Sequence, residues 1–391
     1  MGVHLRFGGS GDSLPMEQNR SEPRQRSWQR ALMLALSLRL IYSVFAAVAA
    51  VTQTVNWRLV QSNGLTENLP PPDYSWRYLL FGVWNRFDTL WYLHIAAHGY
   101  DRPDAVVFFP LYPSLIKLGS LLVPPVAAAL LISTLAAFFL FWGLQELLME
   151  DHSPGFVTQS VWLCGCWPAG FVFFAGYPES LLGALIIWSL WMAGRDRWLA
   201  AAGLGLAATL SKAVGVVVVV PLLMMAFRTR KTTSLAVILI PAGAAGFLGY
   251  LHWTGRGGLT TAYAQYWRTV TAPPWTTVWV SLQELVRAPN AILVLNLMAL
   301  ILVCALAAVS RLKIEYLLFS AAAVIVLLCK ETMPPLQSMM RYQLMIFPAF
   351  AGMARLLQRR HLQARLGMVC GAFLIINLGL LWLFVGWSLV V

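Results

Sequence analysis

Charge is what this chain has least of. Asp, Glu, Lys and Arg make up 11% of its 391 residues, and 59% are hydrophobic. A water-soluble domain carries about 25% charge and about 45–50% apolar residues, so an ordinary soluble fold is excluded. Cysteine is scarce too: Cys164, Cys166, Cys304, Cys329 and Cys370 all lie inside apolar runs. The only close pair is C-x-C, with no second pair to complete a zinc spacing. That excludes a zinc ribbon and a disulfide framework, and the thiols read as small packing residues. Nucleic-acid motifs are also absent. The formal charge of +12 therefore does not point to nucleic acid. Lys and Arg fall in short loops between apolar runs, which is the cytoplasmic bias of membrane proteins.

What the sequence does have is apolar length and interfacial aromatics. Seventeen Trp and twelve Tyr suit a membrane–water boundary, and several runs reach the roughly 20 apolar residues that cross a bilayer as a helix. The expected fold is an all-α polytopic membrane protein with about eleven membrane helices, some half-length, placed in a plasma or inner membrane. Residues 1–30 read as a disordered cytoplasmic tail and 31–391 as a single integral domain. The first span is 31–51, with Arg39 inside it. Spans at 126–148, 156–176, 180–193, 199–211, 213–227, 235–251, 291–309, 316–329, 343–357 and 366–390 follow, with large loops at 52–120 and 252–290.

Loop charge sets the orientation. Arg195 and Arg197 should lie on the same side as Arg228 and Lys231. Only about thirty residues separate the two groups, too few for two full spans. The intervening stretch, "AAGLGLAATLSKAVGVVVVVPLL", therefore reads as two half-length helices meeting at Ser211-Lys212-Ala213. The two large loops and "KETMPPLQSMMRY" then face the opposite, extracytoplasmic side. Within the latter, Lys330 and Glu331 read as a local pair.

The stretch "RFDTLWYLHIAAHGYDRPDAVVFFPLYP" concentrates polar and aromatic residues beside the bilayer. On a helix, Trp84, Asp88, Trp91, Tyr92 and Ile95 would share one face, lying flat at the interface. Asp88 is then placed to take a proton from an acceptor hydroxyl or to stabilise an oxocarbenium-like sugar; a solvated surface carboxylate is the plain alternative. His94 and His98 have metal-ligand spacing, but no third ligand accompanies them. Asp101 and Asp104 flank Pro103 in a turn. They are candidates for sugar hydroxyls or a divalent cation (Mg2+ or Mn2+), against a simple turn-forming role. Tyr92, Tyr112 in "FFPLYP", and Tyr177 are candidate substrate contacts. Pro168 interrupts its span. Glu179 is either a helix-initiating acid or a sugar contact. Lys212, an ionisable side chain at a helix break inside the membrane, is a functional candidate: its ammonium would stabilise a departing phosphate. Arg341 is the second such cation, against a role as interfacial anchor.

These segments resemble the PIG-V-like mannosyltransferases, relatives of the second mannosyltransferase of glycosylphosphatidylinositol assembly, within the multi-spanning GT-C class. The matching positions are Phe87-Asp88, Tyr92, Ile95-Ala96, Gly99-Tyr100, Phe108-Phe109-Pro110 with Pro113, Trp167-Pro168, Tyr177-Pro178-Glu179-Ser180, Lys212 with Gly215, Arg341-Tyr342 and Phe347-Pro348. Departures are Phe87 for the family's Trp, Trp167 for its Asn, and the rearranged turn Asp101-Arg102-Pro103-Asp104. The resemblance implies a GT-C helical bundle that transfers mannose, with inversion, from a polyprenyl-phosphate donor to a lipid- or glycan-linked acceptor outside the cytoplasm. It gives Asp88 the catalytic acidic position. Transfer of another sugar such as arabinose or glucose, and non-enzymatic lipid or solute transport, are the alternative readings.

Overall fold

The computed structural model describes residues 27–55, 57–61, 65–67, 69, 71–359 and 365–388. Apart from a two-stranded ribbon, the described chain is built from helices and their connections. Five helices are long and apolar enough to cross a membrane: Ser27–Thr52, Pro125–Leu148, Thr232–Trp253, Ala291–Val309 and Arg365–Val385. Four shorter apolar helices accompany them: Glu179–Gly194, Trp198–Ser211, Ala213–Thr229 and Ile314–Leu328. Their outward faces carry large apolar side chains such as Leu40, Ile238, Ile301 and Ile375, all exposed. Water would penalise so much bare apolar surface; lipid would not.

The expected tail lies outside the described residues as far as residue 26. Residues 27–30 differ from expectation, because they already form the start of the helix Ser27–Thr52. The buried Ser27 hydroxyl donates to Glu146 Oε1 at 2.8 Å, which ties this end to the helix Pro125–Leu148. Arg39, inside the helix Ser27–Thr52, donates to the Phe174 carbonyl at 2.6 Å and lies over the Trp84 ring.

The expected span 156–176 is shorter than a membrane crossing. Its helix, Pro154–Cys166, stops before Pro168, and Ala169 takes a left-handed φ of 67°. The next turn, Gly170–Phe174, is entirely buried. The polar backbone on both sides of the break is answered from the last helix: Asn377 Nδ2 donates to the Cys166 carbonyl at 2.9 Å, and Asn377 Oδ1 accepts from the Phe171 N–H at 3.1 Å. Satisfaction by a neighbouring helix is what makes such a break tolerable. The expected span 343–357 starts later, at Phe347–Arg359, after two tight turns, and 366–390 ends at Val385.

The break at Lys212 is present. The helix Trp198–Ser211 ends, Lys212 is extended, and a tight turn, Ala213–Val218, leads into Val219–Thr229. Gly215 is required there: a Cβ would meet the Ala208 carbonyl oxygen at 2.2 Å. The far ends of these two half-helices come together, since Lys231 pairs with Asp196 at 2.7 Å. Arg195–Glu150, Arg228–Glu315 and Lys313–Asp151 pairs join the same end of the bundle. The helix Trp198–Ser211 has 14 residues, about 21 Å of rise, so this charged end is well separated from Lys212.

The ribbon pairs β1 (Thr269–Thr271) antiparallel with β2 (Lys330–Thr332), Thr271 opposite Lys330. Threonine and valine favour a pleated strand. The pairing clamps the second large loop to the "KET" segment.

Candidate functional site

One cavity of about 580 Å³ gathers four of the sequence candidates. Asp88, Tyr92, Lys212, Arg341 and Tyr342 line it, together with Phe108, Tyr263, Trp267 and Lys330. The opening loop, the helix break, the second loop and the ribbon therefore converge on one space, from positions spread over most of the chain.

Asp88 is the first residue of the helix Asp88–His98. The preceding Phe87 has a φ of 46° and ends the helical path. Trp84 consequently belongs to a separate tight turn, not to the face predicted for it. Phe87 is held by Phe384 and Trp387 at centroid distances of 5.4 and 5.3 Å. Gly176 lets the start of this helix approach closely, since a Cβ there would come within 2.5 Å of Thr89 Cγ2. The backbone N–H of Asp88 reaches the Tyr177 hydroxyl at 3.4 Å.

Around Asp88 the charges form a chain. Arg341 Nη1 donates to Asp88 Oδ2 at 2.7 Å, and its Nη2 donates to the Tyr342 hydroxyl at 3.1 Å. Its Nε lies 3.2 Å from Glu179 Oε1, close enough for ion pairing but not aligned as a hydrogen bond. The buried guanidinium stacks against Tyr177 and Tyr342. Glu179 opens the helix Glu179–Gly194 and is buried; its Oε1 accepts from Lys212 Nζ at 2.6 Å. Lys212 also lies over the Tyr342 ring, 4.5 Å from its centroid. Buried charge persists only when paired in this way.

Lys330 completes the group. Its Nζ is 3.5 Å from the Tyr342 hydroxyl and 4.9 Å from the Tyr263 centroid. The expected local pair with Glu331 does not form. Successive strand residues point to opposite faces: Lys330 and Thr332 line the cavity and Glu331 does not. Burial pushes the Lys330 ammonium down, but the Tyr342 and Tyr263 phenols more than offset it and raise its pKa. For Tyr342, burial pushes the phenol up. Lys330, Arg341 and Lys212 outweigh that push and bring it down to about 7.

Other candidates lie elsewhere. Tyr112 is fully buried and braces helices: its hydroxyl donates to the Ala129 carbonyl at 3.0 Å and meets Ser133 Oγ at 2.6 Å. Ser133 in turn donates to the Tyr177 carbonyl at 2.9 Å. Tyr177 sits behind Arg341 and is absent from the cavity wall. Asp101 pairs with His94 at 2.7 Å, and Asp104 with Arg102 at 2.7 Å; neither lines the cavity. Among the described residues no group of three or more His, Cys, Asp or Glu is arranged to hold a metal ion.

Sequence reasoning did not assign Lys330, Tyr342 or Tyr263 to the site, nor foresee the buried Arg86 away from it. The Arg86 guanidinium is buried and donates to the Tyr78 hydroxyl at 2.9 Å, beside the Trp387 ring. Lys330 had a legible signal, an ionisable residue closing an apolar run. Tyr342 appeared only as the neighbour of Arg341 in the family resemblance, and Tyr263 had no signal. No family model matches the chain, and no characterised protein matches it either.

Proposed function

We propose that this protein is a GT-C-type membrane glycosyltransferase that moves a hexose, mannose by its sequence resemblance, from a polyprenyl-phosphate donor to a lipid- or glycan-linked acceptor. One observation carries the reading: the Asp88 carboxylate and the cations Lys212, Arg341 and Lys330 belong to one cavity. Its volume, about 580 Å³, falls in the range of small-molecule sites, about 300–1,000 Å³. Aromatic walls from Tyr92, Phe108 and Trp267 suit the apolar face of a sugar.

In the proposed reaction the acceptor hydroxyl gives its proton to Asp88 as its oxygen bonds the anomeric carbon. The bond from that carbon to the phosphate oxygen breaks on the opposite face, which inverts the centre. The electron pair leaves with the polyprenyl phosphate, and the cationic wall stabilises the charge that develops. Arg341 holds the carboxylate in place between the acceptor and the sugar. Orientation follows from charge: the basic loops cluster at the end of the bundle remote from Lys212, and the positive-inside rule assigns that end to the cytoplasm. The cavity would then open to the extracytoplasmic half of about eleven membrane segments.

The test is transfer by purified protein in vesicles carrying polyprenyl-phosphate mannose, with Asp88→Asn. Loss of about 10²- to 10⁴-fold is expected for removal of a general base. Thermal unfolding of the variant checks that the Arg341 partnership has not been lost with the fold, and Asp88→Glu supplies a charge-retaining control. Full transfer by a folded Asp88→Asn protein overturns the assignment. A panel of lipid-linked sugars distinguishes mannose from arabinose or glucose, and lipid movement without transfer would favour transport.

A further inference from the structure

Five charges are linked at the cavity: Asp88, Lys212, Arg341 and Lys330 line it, and Glu179 is buried just behind, paired with Lys212 and Arg341. The two carboxylates are already taken. Arg341 grips Asp88 and flanks Glu179, and Lys212 grips Glu179. Lys330 is the surplus. Among the described residues no carboxylate pairs with it, and its ammonium sits between the Tyr263 and Tyr342 rings on the cavity wall. A half-buried cation on an otherwise apolar cavity wall favours an anion.

The wall beside Lys330 is apolar. Val326 and Leu327, one turn before it, line the cavity with Val107 and Val270. Val326 is also 42% exposed, and its neighbour Ile325 is 52% exposed, on the outer face of the helix Ile314–Leu328. The cavity therefore runs from a single unpaired ammonium to a bare apolar helix face. An amphiphile with an anionic head and a hydrocarbon tail fits that polarity; a free hydrophilic anion would leave the apolar half unfilled.

We infer that Lys330, with the Tyr342 hydroxyl, is the seat of the donor's phosphate, that the prenyl chain leaves along Val326 and Ile325, and that Arg341 is a positioning residue for Asp88 and not a phosphate ligand. The identity of the donor rests on the transferase reading; the seat itself rests on the geometry. Lys212 also lines the cavity, but its ammonium is already committed to Glu179.

Binding of farnesyl phosphate to the purified full chain in lipid nanodiscs tests this, with farnesol and inorganic phosphate as parallel probes. Lys330→Gln should weaken farnesyl phosphate by about 10- to 100-fold, the worth of a charge-assisted hydrogen bond, while farnesol binding is unchanged. Lys330→Arg should recover most of the affinity. Lys330→Met, which keeps the apolar stem, serves as a second variant should Lys330→Gln unfold. Arg341→Lys should slow transfer more than it weakens farnesyl phosphate. Unchanged farnesyl phosphate affinity in both neutral Lys330 variants overturns the seat. Inorganic phosphate binding as tightly as farnesyl phosphate overturns the amphiphile assignment. Lys330-dependent binding in a protein that transfers no sugar would leave the seat standing and end the transferase reading.

Discussion

Asp88 and Arg341 are joined at 2.7 Å across 253 positions of the chain. Asp88 comes from the opening loop and Arg341 from the turn before the helix Phe347–Arg359. Arg341 is buried and Asp88 is half-buried on the cavity wall, so each compensates the other's charge. Their pairing holds two remote segments at one cavity and sets the direction of the carboxylate.

Removing one side of that pair should be more damaging than removing a surface charge. Arg341→Gln leaves Asp88 and Glu179 facing each other, and breaking a buried pair typically costs about 3–5 kcal/mol. Arg341→Lys keeps the charge but lacks the fork that reaches Asp88, Tyr342 and Glu179 together, so a smaller loss is expected. Thermal unfolding in detergent compares them; equal stability of wild type and Arg341→Gln would contradict the arrangement.

Tyr342 makes anion binding depend on pH. Below about pH 7 its phenol is protonated and donates; above it the phenolate competes with a bound anion for Lys330. Farnesyl phosphate, whose second ionisation lies near 6 as for other phosphate monoesters (about 6), should therefore bind more weakly as pH rises from about 7 to about 9. Tyr342→Phe should flatten the profile. Isothermal titration at several pH values gives the answer, and an unchanged slope in the variant would rule out this phenol.

Gly215 sets the Lys212 break. In Gly215→Ala the new Cβ would collide with the Ala208 carbonyl, and overpacking of this kind costs about 1–3 kcal/mol. A lower melting temperature is expected along with slower transfer, because the shift moves Lys212 from Glu179. Normal stability would mean that the junction adapts.

Tyr112 and Asp101 should behave differently from Asp88. Tyr112→Phe removes a buried hydroxyl bonded to Ala129 and Ser133, worth about 1 kcal/mol of stability, with transfer by the folded protein unchanged. Asp101→Asn loses only an exposed pair with His94, and neither stability nor transfer should move measurably. A large fall in rate for either would return that residue to the site.

Apolar run length and loop charge sufficed to recognise the helical membrane class, the break at Lys212 and the meeting of its flanking loops, because helix length and the cost of unpaired charge act locally along the chain. The same local rules singled out Asp88, Glu179, Lys212 and Arg341 as ionisable residues out of place in an apolar context. They could not say which of them touch. Tertiary structure decided that Arg341 belongs to Asp88, that Lys212 belongs to Glu179, and that Tyr112 is a brace. It also turned Lys330 away from Glu331 and into the cavity, since strand alternation depends on a ribbon formed with residues 269–271. Pairing between distant segments is set by how helices pack, and no short-range pattern encodes it.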